Sequence, residues 1–178
     1  MSLVDRDGLA REIYERTHLT GEFTLRSGAV STEYFDKYLF ESDPVLLRTI
    51  AKALVPLVPS GTDALAGLEL GGVPIATMLS QLTGLPALFV RKQAKTYGTC
   101  KLAEGGEISG RRLCIIEDVV TSGGAILDAA SELRQRGAEL GPVLCAIDRE
   151  SGGVEKLAIE GLTLSPLFTM SELKTAAS

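Results

Sequence analysis

The apolar positions along the chain fall into two kinds of run, stripes at helical spacing and short uninterrupted blocks, and the two alternate. Leu3, Ala10, Ile13 and Tyr14 recur at helical spacing over residues 3–17, and Thr20-Gly21 then breaks the pattern, so an N-terminal helix is expected. Phe23 and Leu25, then residues 34–38, predict two short strands joined by the turn-prone Arg26-Ser27-Gly28. Asp43-Pro44 reads as a helix start with proline in the first turn, and Leu46, Leu47, Ile50, Ala51 and Leu54 form its apolar stripe before Pro56 ends it. Beyond that point strands over 64–67, 87–90, 113–116 and 142–147 are separated by helices over 73–82 and 125–136, with a polar stretch at 91–111. A short helix over 154–157 and a strand over 163–168 are expected after them. Apolar blocks without internal alternation, spaced by helices, predict a parallel sheet covered on both faces. The fold class is therefore α/β. Residues 1–178 read as one domain with a central, mainly parallel sheet flanked by helices, preceded by a small N-terminal element over about 1–40. No repeat, low-complexity tract or linker suggests a second domain.

Charge and composition narrow the function classes. The 18 basic and 23 acidic side chains leave a formal charge of −5, and no basic cluster stands out, which argues against nucleic acid as the main partner. The longest apolar blocks are far short of the roughly 20 residues that cross a bilayer, so no membrane association is expected. The opening residues carry acids and no apolar core, unlike a secretory signal, and a cytoplasmic location is expected. A chain of this length buries roughly 70% of its unfolded surface and needs neither disulfide nor structural metal. The odd set Cys100, Cys114 and Cys145 contains no C-x-x-C pair and reads as buried free thiols. With His18 as the single histidine, a His-based zinc site or catalytic triad has no raw material.

In open parallel sheets ligands sit beyond the carboxyl ends of the strands, where loops converge and helix N-termini point inward. The most informative string, residues 113–125, has this form: Leu113-Cys114-Ile115-Ile116 runs into Glu117-Asp118, then Val119-Val120, then Thr121-Ser122-Gly123-Gly124-Ala125 at the start of a helix. The loop can present backbone N–H groups and two hydroxyls to one phosphate, assisted by the positive helix end. Carboxylates beside an anion site make sense facing sugar hydroxyls or a divalent cation, and a phosphorylated sugar satisfies both halves. The plainer alternative is a helix capped by Ser122 after a strand with incidental acids. Neither G-x-x-x-x-G-K-[ST] nor a G-x-G-x-x-G after the first strand occurs, which disfavours ordinary P-loop and dinucleotide sites.

The string 113–125 resembles the diphosphoribosyl-binding signature of the type I phosphoribosyltransferases. Four other segments resemble the orotate-specific branch of that family. These are Gly21 to Gly28 with Ser31 and Tyr34-Phe35-Asp36, the Glu69-Leu70-Gly71-Gly72-Val73-Pro74 turn, the Arg91-Lys92-Gln93-Ala94-Lys95-Thr96-Tyr97-Gly98-Thr99 loop, and Asp148-Arg149-Glu150-Ser151-Gly152-Gly153. The likeness runs in order over roughly residues 20–153. It implies the type I phosphoribosyltransferase fold with an N-terminal hood. The implied reaction moves ribose 5-phosphate from phosphoribosyl diphosphate to orotate, giving orotidine 5′-monophosphate and diphosphate in pyrimidine synthesis.

The resemblance also implies roles. Thr121 to Ala125 hold the 5′-phosphate, Val119 and Val120 also belong to the phosphoribosyl diphosphate site, and Glu117 with Asp118 orients the ribose hydroxyls. Arg91, Lys92, Lys95 and Tyr97 face the diphosphate, Lys95 being the first choice for stabilising the departing charge, and Gly71 and Gly72 allow close backbone approach to it. Arg26, Tyr34, Phe35, Thr121 and Arg149 surround orotate, with the Arg149 guanidinium suited to its carboxylate. Magnesium is expected on the diphosphate, without a dedicated protein cage and with Asp118 as a candidate contact. A homodimer is implied, loop 91–110 reaching the neighbouring site, and the glycines at 98, 105, 106 and 110 predict that this loop is mobile. Three positions depart from the family pattern: Tyr97 replaces a histidine, Arg26 a lysine, and Leu70-Gly71 a Tyr-Lys pair. At the last a cation is missing, which backbone amides or magnesium must offset. A purine phosphoribosyltransferase and a non-catalytic sensor of phosphoribosyl diphosphate are the rival readings.

Overall fold

The computed structural model describes residues 5–25, 27–94 and 101–178. Asp5 caps α1 (Arg6–Thr17), its carboxylate accepting the Gly8 amide. The chain then enters an antiparallel pair, β1 (His18–Thr24) and β2 (Val30–Phe35), with a bulge between Thr20 and Phe23. The Thr20-Gly21 break thus interrupts a strand that had already begun, and β1 starts earlier than expected. Of residues 34–38 only Tyr34 and Phe35 are strand, at the end of β2. The Asp36 carboxylate accepts the Tyr38 amide and turns the chain into the short α2 (Tyr38–Glu41). Asp43 accepts the amides of Val45 and Leu46 to open α3 (Pro44–Leu54), as the Asp-Pro signal predicts.

The remaining elements are β3 (Ala64–Leu68), α4 (Gly72–Thr83), β4 (Ala87–Val90), β5 (Ala103–Glu104), β6 (Arg112–Val120), α5 (Gly124–Gln135), β7 (Glu139–Asp148), α6 (Gly153–Ile159), β8 (Leu164–Thr169) and α7 (Met170–Ala176). Six strands form the main sheet in the order β5-β4-β3-β6-β7-β8, parallel except at the β4–β5 edge. Over 101–110 the polar stretch holds more apolar anchors than expected. There β5 pairs with β4, and Leu102, Ala103 and Ile108 are buried anchors that the glycine content obscures.

The uninterrupted apolar blocks follow from burial on both faces. Along β6, Cys114 and Ile116 enter a core with α1, α3, α4 and α7, while Leu113 and Ile115 enter a second core with α5 and α6. Cys114 and Cys145 are buried free thiols, and burial pushes the Cys114 thiol up to about 12. Strand order reverses direction between β3 and β6: the chain leaves β3 toward β4 on one side, then returns to β6 on the other. A crevice opens beyond the carboxyl ends of strands at such a reversal. The loops after β3 and β6 flank it.

Candidate active site

Four titratable side chains meet at this crevice. The Lys37 ammonium, from the turn between β2 and α2, pairs with Asp118 Oδ2 at the end of β6. The Asp118 carboxylate is only 1% exposed, and Glu41 on α2 and Glu117 press against it. Glu117 Oε1 accepts the Asp118 amide at 3.0 Å, while one Glu41 oxygen, Oε1, is buried without a hydrogen-bond partner among the described residues. Three carboxyl groups around one ammonium cannot all ionise. Burial, then contact with Asp118, pushes Glu41 up to about 9 and Glu117 up to about 8. Asp118 is held below the usual carboxylate range by hydrogen bonds from its neighbours and the Lys37 charge, which outweigh its desolvation. Both shifts favour a proton on each glutamate, while the contacts around Asp118 favour its ionised form.

The turn after β3 packs onto this carboxylate. A Cβ built at Gly71 would lie 1.6 Å from Asp118 Oδ2, and one at Gly72 would lie 2.2 Å from the Ile116 carbonyl oxygen. Both positions exclude side chains because the turn lies directly on β6, a reason internal to the fold that spacing alone does not reveal. The peptide between Glu69 and Leu70 is cis. Glu69 Oε1 accepts the Lys92 amide at 2.5 Å, tying this turn to the segment after β4.

The loop after β6 leads into α5 through Gly123 at φ 75°, and no side chain caps the helix. Ser122 does not take the capping role, so the first-turn amides have no side-chain acceptor. Thr121, Ser122, Gly124 and Ala125 are exposed and Gly123 is buried against α6, while a Cβ at Gly153 would lie 2.7 Å from the Thr121 carbonyl oxygen. The Arg149 amide donates to the Val120 carbonyl at 2.8 Å, which seats the loop after β7 beside this one.

Next to the crevice the β1–β2 hairpin covers a cavity of about 310 Å³ lined by Tyr34, Phe35, Arg149, His18 and Lys174, among others. The Arg149 guanidinium lies 5.8 Å from the Phe35 ring centroid, a cation and a flat apolar face presented together. Glu117, Asp118, Gly71, Gly72 and the 121–125 loop are thus gathered at one crevice, and Tyr34, Phe35 and Arg149 at the adjoining cavity. Arg91 instead pairs with Glu104 at 3.4 Å, and Lys92 lines a groove with Asp128, Ser131 and Glu132 of α5. Arg26, Lys95 and Tyr97 lie outside the described residues. Lys37 and Glu41 join the site without having been singled out from the sequence. Their position one helical turn apart around Tyr38 carries no motif, and their partner Asp118 is distant in the chain.

A phosphoribosyl transferase domain model matches residues 44–170. An orotate phosphoribosyltransferase from Nocardioides sp. is 60% identical over 168 residues, covering 94% of both chains. The chain belongs to the orotate phosphoribosyltransferases. Solved members of this family superpose closely. The Mycobacterium tuberculosis orotate phosphoribosyltransferase crystallised with inorganic phosphate gives a TM-score of 0.85 at 28% identity, over 96% of this chain and 98% of that one. The same enzyme in complex with 5-phospho-alpha-D-ribosyl 1-diphosphate gives 0.82 at 27% identity, over 96% and 99%. The crevice described above lies where the end of β6 and the β3 turn meet, with the β1–β2 hairpin beside it.

Proposed function

We propose that the chain moves ribose 5-phosphate from phosphoribosyl diphosphate to N1 of orotate. The bond between the anomeric carbon and the diphosphate oxygen breaks with its electron pair leaving on diphosphate, and the orotate nitrogen, having lost its proton, supplies the pair for the new bond. One observation carries this reading: an uncapped helix start, a buried carboxylate and a side-chain-free turn converge at the sheet reversal, beside a cavity presenting Arg149 and Phe35. Each matches one part of the substrates. The α5 amides and the Thr121 and Ser122 hydroxyls suit the 5′-phosphate. Asp118 and Glu117 suit the ribose hydroxyls, Glu117 with a proton to donate. Arg149 suits the orotate carboxylate and Phe35 its ring. Catalysis by this set is positioning and charge stabilisation, with no protein nucleophile.

The donors also suit magnesium carried in on the diphosphate. Asp118 offers a hard carboxylate oxygen to it. When bound, the ion would neutralise charge on the leaving diphosphate. A homodimer in which loop 91–110 serves the neighbouring site, and a cytoplasmic location in keeping with the two unpaired buried thiols, complete the proposal. The test is loss of orotate absorbance on adding phosphoribosyl diphosphate and magnesium, with adenine and hypoxanthine in parallel. Turnover of orotate is expected; purine turnover would move the chain to the rival specificity, and binding of the sugar diphosphate without turnover of any base would make it a sensor.

A further inference from the structure

The β3 turn, Glu69-Leu70-Gly71-Gly72-Val73-Pro74, contains no cation, although the proposed reaction releases a multiply charged anion beside it. Among the described residues Arg91 pairs with Glu104, Lys92 lines the groove along α5 and Arg149 lines the hood cavity. Lys37 is placed differently. Its ammonium rests on Asp118 Oδ2, the same oxygen that a side chain at Gly71 would strike first. A lysine arriving from the β2–α2 turn therefore sits where a side chain growing from the β3 turn is forbidden. The Lys37 side chain is 33% exposed while that of Asp118 is 1% exposed, so the lysine, and not the aspartate, reaches solvent at the crevice.

We propose that Lys37 is a diphosphate-binding residue of this enzyme, supplying from the hood side the positive charge that the Gly71 turn lacks. The proposal rests on the transfer reaction above. In the empty site Asp118 holds the ammonium in place. With substrate bound, Asp118 turns to the ribose hydroxyls and the ammonium to the diphosphate oxygens, so one side chain neutralises first the acid and then the leaving group. A purely structural ion pair would instead keep Lys37 on Asp118 throughout and affect every ribose-containing ligand equally.

The experiment compares wild type, Lys37→Gln and Lys37→Arg by titration calorimetry with magnesium diphosphate and, separately, orotidine 5′-monophosphate, which carries the ribose and phosphate but no diphosphate. Removing a charge-assisted hydrogen bond should weaken diphosphate binding by about tenfold to a hundredfold in Lys37→Gln. Orotidine monophosphate binding should stay within about twofold, and Lys37→Arg should recover most of the diphosphate affinity. Equal weakening of both ligands would show Lys37 acting only by positioning Asp118, and unchanged binding of both would leave it without a ligand role; either result overturns the proposal. Should the glutamine variant not fold, amine acylation of the wild-type protein decides the matter. Saturating diphosphate must shield Lys37 where ribose 5-phosphate does not, and equal labelling in both overturns the assignment. A wild-type chain that neither binds diphosphate nor consumes orotate would defeat the transfer reaction itself, a failure distinct from that of Lys37.

Discussion

Asp118 is the residue on which the crevice turns, being buried, ionised and in contact with a cation, two acids and a glycine turn. Asp118→Asn keeps the shape and removes the charge, and should raise KM for phosphoribosyl diphosphate at least about tenfold while leaving KM for orotate within about twofold, since one charge-assisted contact is lost. Steady-state kinetics with each substrate varied checks this, and parallel changes in both constants would count against it. The two raised acids give a second expectation. Glu41 and Glu117 keep their protons up to about 9 and about 8 in the folded chain, whereas unfolded carboxyls ionise near 4.5. Between those values the folded state binds more protons than the unfolded one, so stability should fall as pH rises from about 5 to 9. Melting curves of wild type and Glu41→Gln across that range should show a shallower decline in the variant.

The acid pair was legible because a strand, two carboxylates and a hydroxyl-glycine loop are contiguous. Lys37 and Glu41 were not, because the charge that gives them meaning arrives from another strand. Gly71 and Gly72 were legible as necessary glycines, but their reason was not: the sequence speaks of approach to a ligand, whereas packing on β6 already demands them.

Among the elements, α4 shows how a single atom can set a helix in place. A methyl group at Gly72 would meet the Ile116 carbonyl at 2.2 Å, so Gly72→Ala must push the start of α4 off the sheet. Overpacking of this kind costs about 1 to 3 kcal/mol. A urea midpoint unchanged by the substitution would mean that α4 shifts freely. Elements with strong local signals, such as α3 behind its Asp-Pro start and the apolar blocks of β4 and β6, could be read directly. The helix α7 was missed although Thr169 and Glu172 form a reciprocal capping box, a signal present in the sequence and passed over for want of a long apolar stripe. The strand β5 was missed for another reason. It is two residues long and exists only by pairing with β4, a tertiary fact with no local pattern.

For the molecule as a whole, the fold class followed from the alternation of blocks and stripes. The strand order, which creates the crevice, did not, since periodicity says nothing about which strands are neighbours. Whether two chains share a site is open to a direct test. Lys95→Ala and Asp118→Asn, each assayed at phosphoribosyl diphosphate well below KM so that each alone is strongly impaired, should on co-expression regain about a quarter of wild-type activity if loop 91–110 serves the neighbour, because half the dimers are mixed and each mixed dimer has one intact site. Activity no greater than that of either variant would confine each loop to its own chain.

The bare opening turn of α5 reaches beyond catalysis. A solute carrying a terminal phosphate would finish that turn as a serine does in other helices, so part of the architecture is lent by a visitor. Resistance to heat and to proteases should then climb with the logarithm of the visitor's concentration, making the lifetime of the chain a gauge of how well supplied its surroundings are.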